Sequence, residues 1–221
     1  MTKVYMIRHC EAMGNVARVF QGTSDFDISE TGAIQLEYLK ERFKDIHIDK
    51  IYSSPLIRAV KTAEAATEGK GLKVIKDRGL IELHGGVVEG RPFKEAFAEY
   101  PHLAEQWDNH PEDFLPANGE SMRSAYNRIW ETICRIVREN KGKTIAISTH
   151  GGVTRCLMCR LNYGDIKKLK DTPWSDNTAV SQINFDDELN PTLVFMNDHS
   201  HVPDKYMPKR NRISSFIGDK S

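Results

Sequence analysis

The sequence carries no surplus of charge, no long apolar run and few cysteines. Lysine plus arginine and aspartate plus glutamate each count 31 in a chain of 221 residues. No global field therefore draws the protein to nucleic acid or to a membrane surface, and any anion site must be a local cluster. No stretch approaches the ~18 consecutive apolar residues of a spanning helix. The opening segment "MTKVYMIRH" has too short an apolar run for a secretory signal. These absences predict a cytoplasmic protein with neither a nucleic-acid nor a membrane partner. Of the four cysteines, Cys10, Cys134, Cys156 and Cys159, only the last two form a CxxC, and no second pair at metal spacing accompanies them. Their helical spacing within "GGVTRCLMCRL" predicts two reduced, buried thiols. Internal repeats and low-complexity tracts are missing as well.

What is present fits one sizeable core. Hydrophobic residues make up 39% of the chain, which at this length supports a globular domain. Strand patterns and helix patterns alternate. "KVYMIRH", "DKIYSS", "LKVIKD" and "KTIAISTH" read as strands, the last as one buried on both faces of a sheet. "SETGAIQLEYLKERF", "SPLIRAVKTAEAA", "GESMRSAYNRIWETICRIVREN" and "GGVTRCLMCRL" read as helices. Ser54 is a candidate N-cap with Pro55 at the first helical position. In the longest helix Met122, Tyr126, Ile129, Ile133, Ile136 and Val137 share a face. "TAVSQINF" and "PTLVFMN" read as a hairpin-like pair at a sheet edge. The pattern predicts an α/β three-layer sandwich with a mainly parallel central sheet and helices on both faces. One domain should span 1–202, with a small cap inserted at about 91–118, and a polar tail, mobile in part, should cover 203–221. The cap aromatics Phe93, Phe97, Tyr100, Trp107 and Phe114 should mostly form its own core, with one or two facing substrate. Asp25 and Asp27 read as turn residues.

In open α/β sheets, ligands sit at the carboxyl ends of the strands. After the four parallel strands come Arg8 and His9, then Arg58, then Glu82, then His150. Four separated segments thus deliver two arginines, two histidines and a glutamate to one edge. Two guanidinium forks suit a phosphate dianion, and backbone donors at Gly151 would add to them. Two histidines and a glutamate could also hold a metal, but neighbouring arginines repel a cation, so none is expected. Given a phosphate, His9 can act as a covalent nucleophile, because positive neighbours disfavour imidazolium. Its second ring nitrogen needs an acceptor that sets the tautomer; the backbone of Gly14 is the candidate. Glu82, between apolar Ile81 and Leu83, is the candidate acid if it stays protonated near neutral pH, and Glu89, the fallback, reads as structural. His150 would hydrogen-bond phosphoryl oxygens.

The segments "IRHCEAMGN", "QGTSDFDISETGAIQ", "YSSPLIRAVKTAE", "LIELHGGVVEG", "NGES" and "STHGG" occur in the order seen in the histidine phosphatase superfamily, the phosphoglycerate-mutase-like group, which the chain resembles from Val4 to about His201. The resemblance implies that His9 is phosphorylated, that Arg8, Arg58 and His150 form the phosphate pocket, and that Glu82 is the proton donor. It places Asn15, Gln21 and Gly22 at the substrate phosphate and implies neither metal nor organic cofactor. The family's third motif residue is usually glycine. Cys10 stands there instead, so a reactive thiol is one expectation and an inert small side chain the other. Three functions stay open. One is a phosphoric monoester hydrolase of the histidine acid type acting on a small phosphorylated metabolite. The others are a mutase and a non-catalytic phospho-ligand binder. Family mutases carry a longer insert with paired arginines, and this short cap has none, which favours hydrolysis. Arg91 and Lys94 are the expected cap contacts with an anionic substrate. Oligomeric state is left open, with a dimer through "TAVSQINF" as one option.

Overall fold

The computed structural model describes residues 1–207. Its organising strand is β1 (Thr2–Arg8), and side-chain alternation explains its place. Val4 and Met6 point into one apolar cluster, Tyr5 and Ile7 into another on the opposite face. A strand apolar on both sides must lie inside a sheet covered on both sides. A short first helix, α1 (Met13–Val16), follows β1, and the longer helices supply that cover. On one face lie α2 (Glu30–Phe43) and α3 (Ile57–Ala66), which contribute Leu36, Leu39, Phe43, Ala63 and Ala66 to the second cluster. On the other lie α6 (Met122–Arg138) and α7 (Gly151–Tyr163). All six residues of the predicted α6 stripe are buried there. This is the expected three-layer α/β sandwich.

The sheet also contains β2 (Lys50–Ser53), β3 (Val74–Lys76), β4 (Thr144–Thr149), β5 (Val180–Phe185) and β6 (Pro191–Asp198), in spatial order β3-β2-β4-β1-β5-β6. The first four strands of that order run parallel, with Arg8 opposite Thr149 and Ser53 opposite Ser148. Strand β5 is antiparallel to both of its neighbours. The hairpin-like pair is therefore real, but the edge belongs to β6. The expectation that "TAVSQINF" offers a free edge is overturned, because β1 and β6 take both sides of β5.

Between β3 and α6 the chain leaves the sheet. It forms α4 (Phe93–Glu99) and α5 (Pro101–Asn109), short helices within the predicted cap segment. Phe97, Trp107 and Phe114 are buried in the cluster that α6 also joins, and Phe93 and Tyr100 pack against it. Trp107 stacks on Trp174, with ring centroids 5.6 Å apart, so α5 is tied to the loop after α7. The tail prediction falls largely outside the described residues. Its first turn, Asp204–Tyr206, rests on α2, where Gln35 Nε2 donates to the Tyr206 carbonyl at 2.8 Å. No described helix is long and apolar enough to cross a membrane.

Helix α3 begins later than its sequence suggests. Leu56, not Ser54, is the residue before its first turn. The Asp25 carboxylate reaches across and accepts from Ile57 N at 2.7 Å, so a carboxylate meets the positive end of the helix dipole. Ser54 is thereby released for other work.

Candidate active site

Strands β1, β2 and β4 end together at one edge, and their direction brings His9, Ser54 and His150 there. His9 is 3% exposed and His150 fully buried, and their rings lie 5.2 Å apart. His9 Nδ1 lies 2.6 Å from the carbonyl of Cys10, not from the backbone of Gly14. A carbonyl can only accept, so Nδ1 carries the proton and Nε2 keeps its lone pair. Burial holds His9 well below the usual imidazole range, and the guanidinium groups of Arg58 and then Arg8 push it further down. His150 is lowered for the same reasons, burial first and Arg58 second. Both imidazoles are therefore neutral at physiological pH.

Arg58 is completely buried. Its Nη1 donates to Ser24 O at 2.7 Å, and its Nη2 to Gln21 O at 2.8 Å and Gly22 O at 3.0 Å. It thus braces the turn that follows Phe20 as well as charging the site. Its Nε is buried and has no hydrogen-bond partner among the described residues, and the same holds for His150 Nδ1. Two buried unmatched nitrogens beside a bare His9 Nε2 are costly unless an acceptor-rich ligand arrives to meet them. Ser54 explains His150: its Oγ lies 2.7 Å from Nε2, and a hydroxyl donated there puts the imidazole proton on Nδ1. Arg8 Nη1 donates to the Ser175 carbonyl.

Glu82 is half-buried, and its carboxyl is fixed by backbone. Oε2 accepts from Gly152 N at 2.8 Å and Oε1 from Leu83 N at 2.9 Å. A Cβ at residue 152 would stand 2.5 Å from Oε1, so glycine is required for this approach. Arg128 on α6 supports the same segment. It donates to the carbonyls of Gly79 and Ile81 at 2.8 and 3.0 Å and pairs in a fork with Glu120. Glu89 clamps the neighbouring turn, accepting from Ser24 N and Gly85 N, so its structural reading holds.

A cavity of about 1000 Å³ opens over His9 and Glu82 and is lined by Arg8, His9, Asn15, Gln21, Glu82 and Gly151, among others, while Arg58 and His150, fully buried, lie behind that lining. Gly22 lines it too, packed so closely that a Cβ would meet the Leu83 carbonyl at 2.1 Å. Asn15 also receives Ala12 N on its Oδ1 at 2.9 Å. Two expectations fail. Arg91 turns away from the cavity lining, tied to Glu99 at 2.6 Å and laid over Tyr100. Lys94 lies exposed on α4, outside the lining. From the 91–118 segment, Phe93, Trp107, Asp108 and Asn109 line the cavity.

Of the two expectations for Cys10, the inert side chain is the one that fits. Its side chain is fully buried on the α2–α3 side of the sheet, against Gly32, and burial pushes the thiol up to about 12. A thiol held neutral and out of solvent is not a nucleophile. Cys156 and Cys159 are free and buried, as their spacing predicts.

The residues 170–177 form a cavity wall that sequence reading missed. A topological signal was available. An antiparallel strand is entered from the edge at which parallel strands end, so "KDTPWSDN" had to arrive at the site.

The chain matches the family model of the histidine phosphatase superfamily (branch 1) over residues 4–199. It is 31% identical over 216 residues to Phosphoserine phosphatase 1 of Hydrogenobacter thermophilus, spanning 96% of this chain and 100% of that one. It is 33% identical over 223 residues to Phosphoglycerate mutase-like protein 4 of Arabidopsis thaliana, spanning 99% and 93%. Among solved structures it resembles Bacillus stearothermophilus YhfR, with a TM-score of 0.87 and 29% identity over 91% of this chain and 99% of that one. A bare imidazole nitrogen at the tip of β1, buried among guanidinium groups, and a match that runs nearly end to end agree: the chain belongs to the histidine phosphatase superfamily.

Proposed function

We propose that the protein is a phosphoric monoester hydrolase of the histidine acid type, acting on a small phosphorylated metabolite through phosphohistidine. The observation that carries this reading is the tautomer of His9. With Nδ1–H held by the Cys10 carbonyl, Nε2 is the only ring atom able to attack, and it stays unprotonated beside Arg58 and Arg8. The phosphate oxygens bind to Arg8, to Arg58 Nε and to His150 Nδ1, with Asn15, Gln21, Gly22 and the start of α7 at Gly151 around them. Nε2 forms a bond to phosphorus as the ester oxygen leaves. Glu82, protonated at that moment, gives its proton to that oxygen. In the second half, water attacks phosphohistidine, Glu82 takes the water proton, and Nε2 is released with inorganic phosphate. The segment 91–118 acts as the cap that shapes the leaving-group side of the cavity.

Among the named relatives, a phosphoserine phosphatase supports hydrolysis and a mutase-like protein keeps transfer between substrate oxygens in view. The cap argues for hydrolysis: its Arg91 is tied to Glu99, outside the cavity lining, rather than held over the site. The test is rapid acid quench after mixing with a ³²P-labelled ester. Acid-labile label should appear on the wild-type protein and be absent from His9→Ala, whose thermal midpoint should stay near wild type. Free phosphate among the products supports hydrolysis; isomerised ester without phosphate overturns it in favour of the mutase.

A further inference from the structure

The segment "MNDHSHV" has no role in the chemistry above, yet it reaches the site through residue 176. Asn197 grips that residue twice. Its Oδ1 accepts from Asp176 N at 2.6 Å and its Nδ2 donates to Asp176 Oδ2 at 2.9 Å. His199 Nε2 lies 3.4 Å from the same carboxylate oxygen. The two residues flanking Asp176 hold the catalytic pair. The Ser175 carbonyl accepts from Arg8 Nη1, and Asn177 Nδ2 donates to the His9 carbonyl at 3.0 Å. Thr178 N then donates to the Arg8 carbonyl at 3.1 Å.

The backbone shows what this arrangement costs. Asn197 has φ 54° and Thr178 has φ 56°. Asparagine tolerates the left-handed region, whereas a β-branched threonine there is an outlier. Such conformations persist where the surroundings over-determine them, and they gather at functional sites. Between them, β5 and β6 lose their regular register, and Asn197 N turns to Ser181 Oγ instead.

We infer that Asn197 is a positioning residue: by clamping Asp176 it sets the Ser175 carbonyl against Arg8 and the Asn177 amide against His9, and so aims the phosphate pocket. The inference rests on the phosphatase reading of that pocket. It names a residue on β6 as part of the site's support, 21 positions along the chain from the residue it grips.

The test uses orthovanadate, a phosphate mimic, with binding followed by tryptophan fluorescence, since Trp107 and Trp174 line the cavity. Asn197→Gly removes the amide while keeping the positive φ without strain. Asp176→Ala removes the other half of the clamp. Asp176→Asn retains an oxygen where Asn197 and His199 both converge. Expected are losses of about tenfold or more in vanadate affinity and in kcat for Asn197→Gly and Asp176→Ala, from misaimed binding groups. Asp176→Asn should lose clearly less than Asp176→Ala, and the thermal midpoint of Asn197→Gly should stay within a few degrees of wild type, because glycine keeps the positive φ. Vanadate binding by Asn197→Gly equal to wild type overturns the inference. So does Asp176→Asn failing as badly as Asp176→Ala, which would assign the effect to the carboxylate charge. A wild-type protein that neither binds vanadate nor hydrolyses any ester would instead overturn the phosphatase reading itself.

Discussion

A neutral imidazole packed between guanidinium groups resists a second proton, and this governs how His9 and His150 should behave. Free histidine titrates near 6.5. In the folded protein both groups are held well below that value by burial and by Arg58. Their NMR signals should remain those of neutral imidazole from pH 7.5 down to 5.5. Stability has the matching sign. As pH falls through about 6.5 the unfolded chain binds protons at these two positions that the folded chain refuses, so stability is lost toward acid. The thermal midpoint should drop between pH 7 and pH 5, and His150→Gln should drop less over the same interval. A His150→Gln slope as steep as wild type would contradict the argument. Cys10 gives a second check at this scale. Its thiol is buried and shifted to about 12, so iodoacetamide at pH 8 should leave it unlabelled in the native protein and leave activity intact. Its neighbours His9 and Arg8 were legible as a motif. The direction in which Cys10 points was not, because it lies past the end of β1 and breaks the alternation that would have put it with Val4 and Met6.

Helix α7 shows how an element trades stability for chemistry. Glycine at position 152 weakens a helix relative to alanine by roughly 0.5–1 kcal/mol. Yet a Cβ there would collide with the Glu82 carboxyl, the movable end of a flexible side chain. Gly152→Ala should therefore fold with an unchanged or slightly raised thermal midpoint, while kcat falls by about a hundredfold as the carboxyl is displaced. Wild-type kcat in that variant would remove Glu82 from the reaction. The elements themselves were largely readable. The stripe on α6 and the double-sided apolar run of β1 have the periods that burial demands. The start of α3 was misplaced because Ser54 and Pro55 mimic a cap and a first turn. Only tertiary structure reveals that Asp25 caps this helix and that Ser54 serves His150. Arg128 was hidden likewise, since its partners at 79, 81 and 120 lie on other segments.

Over the whole molecule the charges cancel, with 31 of each sign and a sequence pI of about 7.1. Self-repulsion is then weakest at neutral pH. The precipitation threshold should be lowest near pH 7 and rise by pH 8.5, as light scattering against concentration would show. Arg8 and Arg58 instead come together at one sheet edge, and this was the part of the site most legible in sequence: it needed only the strand assignments and the rule that parallel strands end together. The contacts expected of Arg91 and Lys94 were not legible, because both satisfy the charge rule but lie outside the cavity lining, Arg91 being held by Glu99. The reversed direction of β5 has one more consequence. Arg8 and the Ser175 carbonyl that holds it are 167 positions apart. At about 5–20 residues per second, a ribosome makes β1 many seconds before the strands and loop that complete its surroundings. The newborn chain must carry a sticky, two-sided apolar ribbon for that time, and the surroundings of His9 stay incomplete until residues 175–177 have been made.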